Sequence, residues 1–183
     1  MRRTEHLQID KVNVVKNLAN DLDEDGIINL KTLRLSNGGL EYLIDATKSI
    51  PAGTFGKLEL LELVDLHDLT QICNGNLPRM EHFGRSVSEH QLFSNLKNLY
   101  INNCGKIRSM FSETVAKCMV NLQFLYIVTC RKLEEVVSTD TIENEVSDML
   151  GFPKLKEATL QDLISFKSFT SQYIRLTLFN QNV

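Results

Sequence analysis

One arrangement of apolar residues occurs four times along the chain, with its members at offsets 0, 3, 5, 8, 11 and 14. The clearest copy consists of Leu96, Leu99, Ile101, Cys104, Ile107 and Met110. The other copies begin at Leu58, Leu122 and Leu155, and three of the four follow a phenylalanine three residues upstream, at Phe55, Phe93 and Phe152. Four matches to a six-point template are hard to obtain by chance. The chain is therefore predicted to consist of stacked structural repeats.

Two weaker copies lie upstream and extend the repeat pattern towards the start of the chain. One copy begins with Leu30, Leu33 and Leu35. Its next apolar residues, Leu40 and Leu43, lie one residue earlier than the template places them. Leu7 and Ile9 supply only the first part of a copy. Successive copies are about 26, 28, 38, 26 and 33 residues apart, which is near the leucine-rich-repeat range if two copies carry insertions.

The spacing predicts a single leucine-rich-repeat domain over residues 1–183. Its repeats are expected near 4–29, 30–54, 55–92, 93–118, 119–151 and 152–172, followed by an irregular tail at 173–183. The insertions, roughly 73–92 and 138–151, are polar and are predicted to be mobile loops on the outer side of the coil. In the tail, Ile174, Leu176 and Leu178 alternate like a closing strand.

Each L-x-x-L-x-L segment predicts one short strand, because its last two apolar residues have the period-two spacing of a half-buried strand. Stacked strands form a curved parallel sheet on the concave face, and short helices and loops are expected on the convex face. Ser112 is a candidate N-cap for a helix through Met119, and residues 12–22 have helical spacing. The predicted fold class is therefore an α/β leucine-rich-repeat solenoid.

Composition and charge argue against several classes of protein. A net charge of -3 lacks the basic field of a nucleic-acid binder, so nucleic acid is not an expected partner. No apolar run reaches the roughly 18 residues of a membrane span. Four cysteines without metal-ligand spacing, and no glycosylation acceptor, fit a reducing cytoplasmic setting.

Several short motifs resemble ligand sites, and each has a plainer interpretation. Asp21, Asp23, Asp25 and Gly26 match the start of a calcium-binding EF-hand loop, but Thr32 stands where that loop needs a bidentate glutamate. A solvated acidic turn is the favoured interpretation. The segment 53–58 has the glycines and lysine of a phosphate loop at the wrong spacing, so ATP binding is not expected.

The remaining candidate sites involve cysteine, histidine and serine. Cys104 and Cys130 share one template offset, which suggests a pair of small buried side chains rather than a disulfide or ligand pair. Cys73, His82 and His90 have spacings that fit no common zinc pattern. No serine lies in a G-x-S-x-G turn, so no enzymatic activity and no cofactor are expected.

The amino-acid sequences of the repeats resemble those of plant nucleotide-binding leucine-rich-repeat resistance proteins, especially of the coiled-coil class. The resemblance extends from about Arg3 to about Phe169. The segments that carry it are RTEHLQIDKVNVVKNLANDLDEDG, LELVDLHDLTQICNGNL, FSNLKNLYINNCGKIRSMFS, MVNLQFLYIVTCRKLEEVV and FPKLKEATLQDLISFKSF. It implies the C-terminal repeat region of an intracellular immune receptor, whose repeats sense a pathogen effector or a modified host protein and regulate a nucleotide-binding domain.

In this register the outward-facing strand residues are the expected protein-binding surface. The candidates are Tyr100, Phe124, Tyr126, Arg34, Glu62, Leu60, Val64, Asn98, Asn102 and Val128. Aromatic residues grouped on an exposed face are typical of protein interfaces. The alternative is that a neighbouring domain or an insertion loop covers these residues. Two other functions stay open: a generic repeat scaffold such as a ubiquitin-ligase substrate-binding arm, and a small-molecule or calcium-binding enzyme accessory.

Overall fold

The computed structural model describes residues 4–12, 17–21, 24–48, 50, 53–75, 92–138 and 152–170. Most of both predicted insertions, the tail with Ile174, Leu176 and Leu178, and the histidines His82 and His90 lie outside the described residues.

The described residues form eleven short strands and three short helices. In chain order they are β1 (His6–Asp10), α1 (Leu18–Asp21), α2 (Glu24–Asn29), β2 (Thr32–Gly38), β3 (Tyr42–Asp45), β4 (Leu60–Leu66), β5 (Gln71–Asn74), β6 (Asn98–Asn102), β7 (Ser109–Ser112), α3 (Glu113–Cys118), β8 (Phe124–Val128), β9 (Glu135–Ser138), β10 (Glu157–Gln161) and β11 (Ser168–Thr170). None of the described helices has the length and apolar character that crossing a membrane requires.

Six of the strands form one parallel sheet in the order β1-β2-β4-β6-β8-β10. Every repeat found in the sequence contributes one strand to it. The pairing follows the predicted register: Leu61 pairs with Leu99, and Leu99 pairs with Leu125. The fold is thus the predicted leucine-rich-repeat solenoid, and the repeat spacing sets which residues are neighbours across the sheet.

The core consists of the template positions. All six positions of the copies that begin at Leu58, Leu96 and Leu122 have no exposed surface. In the last copy, Leu155, Ala158 and Leu160 are only partly buried. The reason is that the inner copies are covered by a repeat on each side, whereas the described residues place none beyond β10.

The return side contains short strands in addition to the short helices and loops that the sequence predicts. Five return segments are strands, which form a three-stranded parallel sheet of β7, β9 and β11 and a two-stranded sheet of β3 and β5. Their centres are adjacent buried pairs, such as Met110–Phe111 and Val136–Val137. Such pairs are buried on both faces of the strand, and large or β-branched side chains favour this extended conformation.

Helices occupy a small part of the return side. The predicted cap of α3 is confirmed, because the Ser112 hydroxyl accepts a hydrogen bond from the Val115 amide at 3.4 Å. Within the predicted helix over 12–22, Leu18–Asp21 form α1, while 13–16 and 22 lie outside the described residues. The helix α2 ends at Asn29 and is followed by β2, so Thr32 begins a strand and the exiting helix of an EF-hand is replaced.

A left-handed backbone conformation marks the end of each strand of the six-stranded sheet. The residues with positive φ at this position are Lys11, Asn37, Asp65, Asn103, Thr129 and Asp162. Asparagine and aspartate are the non-glycine residues that adopt this conformation most readily, and four of the six positions carry one of them. The side chains also join repeats, because the Asn103 amide donates a hydrogen bond to Asp65 at 2.6 Å.

Two of the phenylalanines that precede the template also have positive φ and stack inside the coil. The rings of Phe55 and Phe93 lie 5.6 Å apart with an angle of 4° between their planes. Phe152 instead makes edge contacts with Phe111 at 6.5 Å and Phe169 at 6.0 Å. The recurring phenylalanine therefore fills the core in two different ways.

Candidate functional site

The side chains at the first, third and fifth positions of each strand form the outer face of the six-stranded sheet. Because side chains alternate along a strand, burial of Leu99 and Ile101 directs Tyr100 outward. Strand pairing aligns the third positions into one column across the sheet: Gln8, Arg34, Glu62, Tyr100, Tyr126 and Thr159. All ten candidate residues from the sequence lie on this outer face, in this column or the two that flank it.

Two tyrosines stand side by side at the centre of the outer face. The rings of Tyr100 and Tyr126 are 6.0 Å apart and tilted by 40°. Strand pairing places the two residues directly opposite each other, and the strand spacing of roughly 4.8 Å makes this contact unavoidable. Tyr100 is 37% exposed, so the pair presents aromatic surface to solvent.

The other apolar side chains of the outer face are less accessible than the sequence suggested. Leu60, Val64, Phe124, Tyr126 and Val128 are half-buried, whereas a fully wet face was expected. Close strand spacing explains the difference, because each side chain is shielded by its neighbours on adjacent strands. The most accessible aromatic surface is therefore concentrated at Tyr100.

Two residues that the sequence did not single out as strong candidates contact the aromatic residues. The Lys156 ammonium lies 5.9 Å from the centre of the Phe124 ring, within the range of a cation–π interaction. Burial, followed by the negative charge of the nearby Glu157 carboxylate, raises the pKa of Tyr126. Both residues belong to the next repeat, so their contacts depend on the register between repeats.

An ion pair lies on the other side of the tyrosines. The Arg34 Nε donates a hydrogen bond to the Glu62 Oε2 at 2.8 Å. Glu62 pairs with Tyr100 in the adjacent strand, so the ion pair and the aromatic pair form one continuous row. Surface ion pairs contribute little stability, which leaves these charges available for recognition.

The cysteine pair lies inside the coil and not on the outer face. Cys104 and Cys130 are buried free thiols, and each lies near backbone carbonyl groups of its own repeat. A hydrogen bond with Cys130, followed by burial, raises the pKa of Cys104. Burial also raises the pKa of Cys73 to about 12. The hydrogen bond with Cys104 lowers the pKa of Cys130, so burial is what shields this thiol. Burial makes all three thiols poor nucleophiles, which fits a structural role.

Of the other candidate ligand sites, the segment that resembles a phosphate loop is part of the repeat structure, whereas Asp23, His82 and His90 lie outside the described residues. In the segment that resembles a phosphate loop, Phe55 and Leu58 have no exposed surface, and the Lys57 ammonium donates to Asn29 at 3.0 Å. Within the described part of the chain, no three potential metal ligands cluster together. The candidate site with the clearest surface geometry is therefore the outer face.

Comparison with known proteins gives one match. The family model described as "Plant disease resistance protein RPS2-like, leucine-rich repeats" matches residues 1–131 and 79–178, which together span nearly the whole chain. No curated protein and no solved structure matches the chain significantly. The chain belongs to the RPS2-like leucine-rich-repeat family of plant disease resistance proteins.

Proposed function

We propose that the outer face is the protein-recognition surface of an intracellular plant immune receptor. It would sense a pathogen effector or a modified host protein and regulate the receptor's nucleotide-binding domain from the cytoplasm. Repeats of this family are protein-interaction modules that act in defence. The partner and the regulatory role are the proposal, and the family match favours them over a ubiquitin-ligase arm or an enzyme accessory.

The observation that carries the proposal is the aromatic pair at the centre of the outer face, in which Tyr100 is exposed and Tyr126 is half-buried. Tyr100 and Tyr126 offer rigid contact area, and tyrosine is among the residues that most often dominate binding energy at protein interfaces. Around them the outer face presents apolar and amide side chains: Leu60, Val64, Asn98, Asn102, Phe124 and Val128. The charged pair Arg34 and Glu62 completes the candidate set.

The test is co-precipitation with the receptor's nucleotide-binding domain supplied in trans, and with host proteins from leaf extract. In Tyr100→Ala/Tyr126→Ala, capture should fall at least tenfold, because a hot-spot aromatic typically contributes about 2 kcal/mol or more. The melting curve should change little, since partly exposed side chains contribute little to folding.

Val120→Ala and Ile164→Ala provide the matched controls. Both remove exposed apolar surface, 44% exposed at Val120 and 78% exposed at Ile164, from positions outside the outer face. They should leave capture unchanged. If the double tyrosine variant captures every partner as well as the parent does, the outer face is not the recognition surface.

A further inference from the structure

We infer that the aromatic pair of the outer face receives a basic side chain, an arginine or lysine of the partner, between Glu62 and Glu157. The inference rests on the proposed function and specifies the partner's chemistry. It concerns the kind of residue that binds and does not depend on which protein supplies it.

The outer face carries more negative than positive charge. Apart from His6, its charged side chains are three carboxylates, Asp10, Glu62 and Glu157, and one cation, Arg34. Arg34 is already paired with Glu62 at 2.8 Å. The Lys156 ammonium, which lies over the Phe124 ring of this face, is a second cation, so three carboxylates against two cations leave one net negative charge. This charge favours a basic partner over an acidic one.

Carboxylates lie on the strands to either side of the two rings. Glu62 lies opposite Tyr100 on one neighbouring strand, and Glu157 lies on the strand next to Tyr126, opposite Phe124. The aromatic pair is thus flanked by a carboxylate on each side. A guanidinium or ammonium group above these rings would meet their negative faces and gain a carboxylate at its edge.

The same surface already contacts a cation from within the chain. The Lys156 ammonium lies 5.9 Å from the centre of the Phe124 ring. Phe124 therefore already contacts a cation, whereas Tyr100, which contacts Tyr126, is exposed to solvent and Tyr126 is half-buried. The tyrosine pair, and not Phe124, is the place where a partner's cation would bind.

The experiment uses the full chain with 3-fluorotyrosine in place of tyrosine. The chain has four tyrosines, so its fluorine spectrum contains four assignable signals, which single Tyr→Phe variants identify. The probe is a blocked twelve-residue peptide with four arginines, at low salt, because screening weakens surface charge interactions. The matched probe carries citrulline, a neutral analogue, at the same four positions.

The arginine peptide should shift the Tyr100 and Tyr126 signals while Tyr42, on a return strand, stays unchanged. The citrulline peptide should shift neither. Glu62→Gln and Glu157→Gln should each lower the affinity for the arginine peptide by about two- to fivefold, as expected for partly exposed charge pairs. Glu134→Gln is the control, since it removes the same charge from a return segment where Glu134 pairs with Lys167.

The inference would be overturned if both peptides shifted the Tyr100 and Tyr126 signals equally. It would also be overturned if Glu134→Gln and Glu157→Gln lowered the affinity for the arginine peptide equally. A third contradicting result is that the arginine peptide leaves the fluorine signals of Tyr100 and Tyr126 unchanged. In that last case, loss of nucleotide-binding-domain capture in Tyr100→Ala/Tyr126→Ala would still support the outer face as the recognition surface. The basic character of the partner and the location of the surface are thereby tested separately.

Discussion

Gly38 lies so close to Val12 that a β-carbon on Gly38 would stand 2.6 Å from the Val12 carbonyl oxygen and 2.8 Å from the Val12 Cβ. In the following repeats the equivalent position holds Leu66, Cys104 or Cys130, all of them buried. Here the buried side chain of Val12 takes up that space. The contact accounts for the glycine at this template position of the second repeat.

Gly38→Ala is therefore expected to lower the free energy of unfolding by about 1–3 kcal/mol, because the added methyl group overpacks a backbone contact. Urea denaturation followed by circular dichroism measures the change. Gly39→Ala is the matched control, since its nearest neighbour is the flexible end of Asp68 at 3.1 Å. Equal effects of the two substitutions would contradict the contact with Val12.

Thr129 has a φ of 56°, which is unfavourable for a β-branched side chain. Thr129→Asn should raise the free energy of unfolding by about 1 kcal/mol, because asparagine tolerates this conformation and occupies the equivalent position at Asn103. The reverse exchange, Asn103→Thr, should destabilise the protein and also remove the hydrogen bond to Asp65. The midpoints of urea unfolding test both directions, and a destabilised Thr129→Asn variant would show that the strain is absent.

Leu99 and Leu125 occupy the same buried template position in neighbouring repeats. Leu99→Asp or Leu125→Asp should abolish cooperative unfolding, because leucine-to-alanine changes at such sites already cost about 2–5 kcal/mol and an unpaired buried charge adds to that loss. Leu160→Asp should be milder, since Leu160 is only partly buried. A parent-like melting curve for either of the first two variants would show that the register is wrong.

Asp45 provides a pH-dependent contribution to stability. The Thr47 hydroxyl donates a hydrogen bond to it at 2.6 Å, and this bond is the main reason why the pKa of Asp45 is lowered. Because the folded pKa lies below the unfolded value of about 3.9, the contribution is complete above that value. It is lost as the pH falls through the lower folded pKa.

Thr47→Val should therefore reduce stability more at pH 6 than at pH 3. Lys48→Met should have a smaller effect, because the Lys48 ammonium is 3.6 Å away and ranks below the Thr47 hydrogen bonds as a cause of the shift. Unfolding curves at the two pH values make the comparison. A Thr47→Val effect that is equal at both would argue against the hydrogen bond.

All four cysteines should be unreactive in the folded protein. They are buried free thiols, and the pKa values of Cys73, Cys104 and Cys118 are raised. A colorimetric disulfide reagent at pH 8 should therefore label none of them within minutes, and all four after unfolding in guanidinium. Rapid labelling of a native thiol would contradict the burial of that cysteine.

The repeat spacing was sufficient to predict the six-stranded sheet and its register. Period-two alternation places Leu99 inward and Tyr100 outward, and a constant offset between copies aligns Tyr100 with Tyr126. Both rules act on the backbone and do not depend on side-chain detail. The candidate surface followed from them directly.

The return strands and the charged contacts could not be predicted in the same way. A buried pair such as Val136–Val137 shows neither alternation nor helical spacing, so its strand depends on pairing with other repeats. The contact of Lys156 with Phe124 depends on side-chain conformations across two repeats. The positive φ of Thr129 could not be predicted from the sequence, because threonine does not favour positive φ.

Hydroxyl-radical footprinting of the chain, alone and in complex with the nucleotide-binding domain, tests most directly whether the outer face is the recognition surface. Solvent-accessible tyrosines are oxidised, and a partner on the outer face would shield Tyr100 and Tyr126. Oxidation of both should fall on complex formation, while that of Ile164, which is 78% exposed, stays the same. Unchanged oxidation of the two tyrosines with new protection of residues on the return segments would contradict the claim.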